Sequence, residues 1–172
     1  MSKLMNNQII VKELVSEDAE AVRLLLIESY QQYEHYFTPQ AWEEYSNRIV
    51  SSIDNPNVDI IFVAELEQRV VGTLQLFRSG VEAYEIPELQ IQAPIIRLVA
   101  VHPEARGRGV GNVLLNNAIQ KVKALGESSI YLHTTDFMVH AVQLYKKLGF
   151  QRDKTNDFSR GNMVSKCYRL DL

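Results

Sequence analysis

The loop from Arg106 to Gly111 has the residue types of a phosphate-binding site. It reads Arg-Gly-Arg-Gly-Val-Gly. Glycine lets the backbone approach an anion closely, and the first amides of a following helix have no intrahelical partner, so they can donate to phosphate oxygens. Arg106 and Arg108 add two charges suited to charge-assisted hydrogen bonds. The loop predicts an anion site that fits a pyrophosphate; the alternative is a glycine-rich turn that only starts a helix.

The segments on both sides of this loop favour the anion site. Residues 94–101 are almost all apolar and largely β-branched, which is typical of a central strand covered on both faces. After the loop, apolar residues recur at helical spacing as far as Gly126, which fits a helix C-cap. A dinucleotide site would have G-x-G-x-x-G and an acidic residue after the next strand, where His133 and Thr134 stand, and a triphosphate loop would need Gly-Lys-Ser/Thr.

The elements that must position the loop follow the order strand, two helices, three strands, helix, strand, helix and two strands. This order predicts a mixed α/β (α+β) fold. No repeat or linker divides the chain, so we expect one domain over residues 8–172. Ser16 is the expected N-cap of the first helix, and 79–92 is expected to be a long acidic connection. The predicted strands are 8–13, 60–66, 69–77, 94–101, 129–134 and two within 151–171, and the predicted helices are 16–30, 38–54, 110–125 and 137–148.

Composition limits the classes of partner. The chain has 172 residues and a formal net charge of −3, with both signs interspersed, so nothing indicates a nucleic-acid or membrane-surface partner. Cys167 is the only cysteine, which excludes an internal disulfide and predicts a packed core thiol. The first eight residues do not resemble a signal peptide and no apolar run is long enough to cross a bilayer. We therefore expect a cytoplasmic protein.

Two segments of the chain resemble the GNAT superfamily of N-acetyltransferases. In the run from Leu98 to Gly111, LVAVHPEARGRGVG, three residues match the family's Arg/Gln-x-x-Gly-x-Gly/Ala signature. The run from Ala141 to Phe150, AVQLYKKLGF, matches the second segment, Ala-x-x-Leu-Tyr-x-x-x-Gly-Phe. The resemblance implies a mostly antiparallel sheet of about seven strands with splayed central strands, and about four helices on both faces.

The resemblance implies acetyl-CoA as the acetyl donor and co-substrate, with no metal. In the family, the pantetheine arm pairs with the fourth strand as an added strand would, backbone amides hold the pyrophosphate, and a strand amide near Val99 polarises the thioester carbonyl. The residues implied in donor binding are Val99, Ala100, Val101, Arg106, Gly107, Arg108, Gly109, Val110, Gly111 and Asn112.

The implied reaction is direct attack by a primary amine of a small molecule or peptide on the thioester, within a ternary complex. A general base must first remove a proton from the ammonium form. Tyr145 matches the family position for the acid that protonates the departing thiolate. Its helical spacing with Ala141, Leu144 and Leu148 is equally that of a core residue.

Two positions depart from the family pattern. Ile95 stands where many members have a carboxylate that handles the amine proton, and Met138 stands where many have an asparagine that contacts pantetheine. Thr135 or Asp136 are candidates for that contact. A non-catalytic acyl-CoA-binding regulatory module of the same fold is therefore the alternative function.

The candidate bases are Glu82, Glu85, Glu88, His133 and Asp136. For the glutamates the alternative is a solvated connection, and for His133 it is a plain sheet residue.

An aromatic set lies around the first interhelical connection, which in the family tends to wall the acceptor site. Such rings could line a pocket for an amine, and helical spacing makes a core stripe an equal alternative. The acceptor remains open among polyamines, amino acids, aminoglycoside-like compounds and protein termini. Dimers are common in the family, so a homodimer is one expectation. The aromatic set comprises Tyr30, Tyr33, Tyr36, Phe37 and Trp42.

Overall fold

The computed structural model describes residues 8–86 and 88–172. Over these residues the chain forms eight strands and five α-helices in a mixed α/β arrangement, which confirms the predicted fold class. The strands are β1 (Ile10–Glu13), β2 (Ile60–Leu66), β3 (Arg69–Phe77), β4 (Ile95–Val101), β5 (Ser129–Thr134), β6 (Gln151–Arg152), β7 (Phe158–Arg160) and β8 (Met163–Asp171). The helices are α1 (Ala19–Tyr30), α2 (Pro39–Ser51), α3 (Gly80–Tyr84), α4 (Val110–Ala124) and α5 (Val139–Lys147).

The strands follow the order β1-β2-β3-β4-β5-β8-β6, and β7 pairs with β8. β1 and β2 are antiparallel, as are β5 and β8. β4 and β5 are parallel, which the helical crossover α4 between them allows. None of the helices in the described ranges has both the length and the apolarity needed to cross a membrane.

The chain divides into two compact units. The first contains the described residues up to Pro56, Ile60–Gln75 and Leu98–Asn117. Its helix α1 buries Val22, Leu25, Leu26 and Tyr30, which recur at helical spacing on one face. Thr38 caps α2 by accepting a hydrogen bond from the Ala41 amide at 3.2 Å, and Pro39 follows at the first helical position.

The second unit contains Asn57–Asp59, Leu76–Arg97 and Ala118–Leu172. Its core forms around Phe77, Tyr84, Ile95 and Cys167, each less than a tenth exposed. The Cys167 thiol is buried as predicted, and burial raises its pKa to about 12. It is therefore a packing group at neutral pH, because the reactive thiolate form is disfavoured.

Three local predictions differ from the structure. Ser16 is not the N-cap of α1: residues 16–18 form a 3₁₀ turn, and the Ser16 hydroxyl donates to the Glu17 carboxylate at 3.4 Å. The expected connection 79–92 contains helix α3, which Ser79 caps by accepting from the Glu82 amide at 3.4 Å. The C-terminal region forms three strands instead of two, because a 3₁₀ turn separates the short β6 from the β7–β8 hairpin.

Candidate active site

The glycine loop enters α4 in a conformation that needs glycine. Gly107 has φ +77° and Gly109 has φ +83°, and a Cβ added at either would meet no atom within 4 Å. The backbone there is both left-handed and open. Val113 N–H donates to Gly109 O at 3.1 Å, so the amides of the three residues before Val113 precede the first bond of the helix. This arrangement can hold an anion.

Both arginines of the loop have partners within the first unit. Arg106 Nη2 donates to the Ser29 carbonyl in the last turn of α1 at 3.1 Å. Arg108 lies 3.9 Å from the Glu67 carboxylate and is about half exposed, with 45% of its side chain accessible. Arg106 therefore links the loop to the end of α1, and Arg108 is the more available guanidinium.

β4 changes its backbone conformation at Leu98. Leu98 has φ +52°, a left-handed value that is unusual for a leucine within a strand. β5 pairs with β4 only through Ile95 and Ile96. On the other side, His102 N–H donates to Val71 O at 2.8 Å. Strand alternation then directs the backbone groups of Val101 away from β3, as an added extended ligand would require.

The end of α1 also contacts this part of β4. The Tyr30 hydroxyl donates to Val99 O at 3.1 Å. A carbonyl oxygen has two lone pairs, so Val99 O can accept a second hydrogen bond. His102 Nε2 and Glu28 Oε2 lie 2.7 Å apart, and His102 Nδ1 accepts from the Glu104 amide at 3.2 Å. Since Nδ1 accepts, Nε2 carries the proton and donates to Glu28.

The rings of the aromatic set pack on one another in the first unit. Phe37 stacks on Tyr45 with ring centroids 4.9 Å apart, and Trp42 lies 5.7 Å from Phe37. Tyr30 meets Tyr45 edge-on at 6.3 Å. Tyr30 is buried and Phe37, Trp42 and Tyr45 are half-buried, so these four rings form one cluster with exposed edges. Tyr33 contacts it through Tyr30 at 6.1 Å, whereas the exposed Tyr36 lies against His35 at 4.1 Å. Tyr45 belongs to the cluster although the sequence interpretation did not include it.

In the second unit, Tyr145 is buried on α5, with 6% of its surface exposed, and its ring lies 6.0 Å from that of Phe150. Met138 precedes α5 and accepts a hydrogen bond on sulfur from the Thr134 hydroxyl at 3.6 Å. Thr135 is buried, and its hydroxyl oxygen has no partner in the described chain. Asp136 is exposed and pairs with Lys166 at 2.6 Å. Of the two candidates for the pantetheine contact, Thr135 is the one with an unused donor.

His133 is the most constrained of the candidate bases. Its Nε2 lies 2.7 Å from the Asn156 carbonyl, which can only accept, so Nε2 carries the proton and Nδ1 keeps a lone pair. Nδ1 is buried and has no partner among the described residues. The ring packs against Tyr84 and Phe158, with centroids 4.9 and 4.8 Å away, and those two rings also contact each other. Burial lowers the pKa of His133, and the Arg97 charge acts in the same direction.

The other candidate bases differ from His133. Glu82, Glu85 and Glu88 are exposed, and the Glu85 carboxylate accepts from Asn57 Nδ2 at 3.4 Å. Asp136 is held by Lys166. Ile95 is fully buried at 0% exposure within the apolar cluster, so no proton acceptor stands there. His133 therefore combines a fixed tautomer with an unused lone pair.

Comparison with known proteins identifies the family. Residues 19–150 match the acetyltransferase (GNAT) family, and this segment includes the loop, β4, His133 and Tyr145. The chain belongs to the GNAT family. An uncharacterised N-acetyltransferase of Methanocaldococcus jannaschii is 26% identical over 145 residues, which is 82% of this chain and 60% of that protein. The GNAT chain therefore spans about three fifths of the length of this curated relative.

Solved structures agree with the GNAT fold. The PaiA N-acetyltransferase of Thermoplasma acidophilum, in complex with coenzyme A, superposes with a TM-score of 0.68 at 19% identity, covering 93% of this chain and 98% of that one. YncA of Salmonella typhimurium, with its cofactor acetyl-CoA, gives 0.66 at 16% identity, covering 96% and 95%. At these identities the agreement concerns the fold.

The sequence interpretation missed one charged residue of the GNAT domain. Arg97 is half-buried on β4, its Nη1 donates to Ala83 O at 2.7 Å, and its guanidinium lies 4.6 Å from the centre of the Tyr84 ring. The sequence signal was present, because Arg97 is the only charged residue in the apolar run 94–101.

Proposed function

We propose that this GNAT domain transfers acetyl from acetyl-CoA to a primary amine of a small molecule or peptide, by direct attack in a ternary complex. Family membership together with the open cradle of amides before Val113 carries the proposal. When bound, acetyl-CoA would supply an activated acetyl group as a thioester. The domain's own residues would hold the donor, accept a proton from the amine and return one to the leaving sulfur.

Donor binding is assigned to Val99, Ala100 and Val101 of β4 and to the loop and first helical turn from Arg106 to Asn112. Three observations support this assignment. The loop glycines leave space on their open side, β4 has no β5 partner after Ile96, and the first amides of α4 favour negative charge.

His133 is proposed as the proton acceptor. A base that removes a proton from an ammonium group must be neutral beforehand, and the lowered pKa of His133 keeps the ring neutral at physiological pH. The Asn156 carbonyl holds the Nε2 proton, so Nδ1 is the atom that gains the amine proton. That carbonyl then also stabilises the imidazolium. Tyr145 is proposed as the acid whose hydroxyl protonates the departing thiolate.

The function is tested by thiol release from acetyl-CoA with a broad panel of amines. Transfer to at least one amine is expected. With a saturating acceptor, Tyr145→Phe should keep acetyl-CoA affinity and lower kcat by about 10²- to 10⁴-fold, the usual contribution of a positioned acid or base. His133→Gln should lower kcat similarly and remove the acidic limb of the pH–rate profile, because that limb reports protonation of the base.

Tyr168→Phe is the matched control, because Tyr168 is as buried as Tyr145, at 4% against 6% exposure. It should leave kcat close to that of the wild type. Unchanged turnover in Tyr145→Phe would refute its role as the acid. Tight acetyl-CoA binding with no thiol release from any amine would instead favour the non-catalytic acyl-CoA-binding module.

A further inference from the structure

Arg97 uses few of its hydrogen-bonding groups. A guanidinium has five N–H donors. Nη1 donates to Ala83 O at 2.7 Å, and the guanidinium carbon lies 4.6 Å from the centre of the Tyr84 ring and 5.8 Å from that of the Phe77 ring. The Arg97 side chain also hydrogen-bonds the Tyr84 side chain. Among residues 8–86 and 88–172, Arg97 has no carboxylate within 4.0 Å. A half-buried cation without an anionic partner is energetically costly.

A second arginine contacts the same end of α3 as Arg97. Arg160 adds a second guanidinium, whose Nη2 donates to Tyr84 O at 3.0 Å. Two acidic residues of this unit serve other groups. Asp157 forms two hydrogen bonds with Arg152, at 2.7 and 2.8 Å, and Asp153 accepts from the side chains of the 3₁₀ turn 154–156. Two guanidinium groups therefore donate to the consecutive carbonyls of Ala83 and Tyr84, while Asp157 and Asp153 are committed to other groups.

We propose that Arg97 binds the carboxylate of an amine acceptor, so that the substrates of this domain are free α-amino acids. The planar guanidinium fork matches a carboxylate with two parallel N–H···O bonds. Arg97 and His133 both pack against Tyr84, at 4.6 and 4.9 Å from its ring centre. In this proposal Arg97 would bind the carboxylate, and His133 would accept the proton of the neighbouring amine of the same molecule. This inference rests on the proposed acetyltransferase function.

A purely structural role for Arg97 is the competing explanation. Arg97 and Arg160 bind the carbonyls of Ala83 and Tyr84, the last two residues of α3, and cations stabilise helix C-termini. This role would make Arg97 matter for stability and equally for every acceptor. A carboxylate site would make it matter for acceptors that carry a carboxylate. The experiment must therefore vary the substrate as well as the protein.

The experiment compares each α-amino acid with its amide, for example phenylalanine with phenylalaninamide, in the wild type and in Arg97→Gln. The ratio of kcat/KM for acid and amide is measured in each protein, and dividing the two ratios cancels the difference in amine basicity. We expect Arg97→Gln to reduce the acid-to-amide ratio by about 10- to 100-fold, the effect of losing a hydrogen bond between charged groups. Arg78→Gln, at an exposed arginine paired with Asp59 at 3.0 Å, is the matched control and should leave the ratio unchanged.

Calorimetric binding of the twenty α-amino acids to the complex with coenzyme A gives a second readout that needs no turnover. At least one amino acid should bind the wild type, and it should bind the Arg97→Gln variant at least tenfold more weakly. An acid-to-amide ratio that Arg97→Gln does not change, or the absence of amino-acid binding to the wild type, overturns the inference. If that happens, acetyl transfer to amines without a carboxylate would still support the proposed acetyltransferase function. Conversely, amino-acid binding without any acetyl transfer would refute the acetyltransferase function and leave the Arg97 site standing.

Discussion

Gly72 on β3 determines how closely α4 approaches the sheet in the first unit. A Cβ added at Gly72 would lie 2.7 Å from Val110 Cγ1, 2.8 Å from Leu114 Cδ1 and 3.3 Å from Ala100 O. Val110 is the first residue of α4, so it lies in the turn whose amides are proposed to hold the pyrophosphate. Gly72→Ala therefore tests whether the packing of β3 sets the geometry of the donor site.

The size of the effect follows from the contact distances. Ordinary contact begins near 3.4 Å, so the Val110 methyl must move by about 0.7 Å, and valine has little rotamer freedom in a helix. Overpacking of this kind costs about 1–3 kcal/mol of the free energy of unfolding. For a domain of this length, the melting temperature should fall by about 2–12 °C. Displacement of the first turn should weaken acetyl-CoA binding by about 3- to 10-fold, equal to about 0.7–1.4 kcal/mol.

The assay is a double-mutant cycle with Val110→Ala, which removes the closest methyl and keeps the helix. Unfolding free energies and acetyl-CoA dissociation constants are measured for Gly72→Ala, Val110→Ala and the double variant. The double variant should be less destabilised than the sum of the two single variants. Additivity within about 0.5 kcal/mol would show that the two sites do not touch as described and would refute the reasoning.

Two further substitutions test contacts described above. Tyr30→Phe removes the hydroxyl that donates to Val99 O at 3.1 Å and should cost about 1 kcal/mol, or 2–4 °C in melting temperature; an unchanged melting temperature would mean that the bond contributes nothing. Asp157→Asn breaks the ion pair with Arg152 and should cost about 1–2 kcal/mol at pH 7. Arg152 lowers the pKa of Asp157, so the stability is present above the ordinary value of 3.8 and lost as pH falls through the lower folded pKa. Chemical denaturation from pH 7 to pH 2 should show the two proteins converging, and a constant difference would contradict the assignment.

Most of the fold follows from short-range patterns. The bounds of β2, β3 and β5 agree with the sequence prediction because alternating or β-branched runs end at clear turns. Glu67 and Gln68 close the β2–β3 hairpin with φ +53° and +64°, the two positive values of a type I′ turn. The 3₁₀ turn 16–18 and helix α3 were not predicted because both are too short to show a hydrophobic period.

Only part of the candidate site could likewise be predicted from short-range sequence patterns. The glycine loop was visible because glycine positions record backbone conformation directly. The Tyr30–Val99 and Arg106–Ser29 contacts join residues 69 and 77 positions apart, and nothing in the local sequence encodes such distances. The lone pair on His133 Nδ1 is unused because Nε2 bonds the Asn156 carbonyl, and a backbone carbonyl carries no sequence signature.

The left-handed conformation of Leu98 gives β4 two regimes of amide protection. Ile95 and Ile96 lie in a strand paired with β5, whereas the amides after Leu98 have no partner in β5. Hydrogen–deuterium exchange should therefore be slow in the first half of the strand and faster at Val99 and Val101. A ligand that pairs with this edge would slow exchange at Val99 and Val101 and remove the difference. Exchange within this one strand therefore measures whether the ligand is bound.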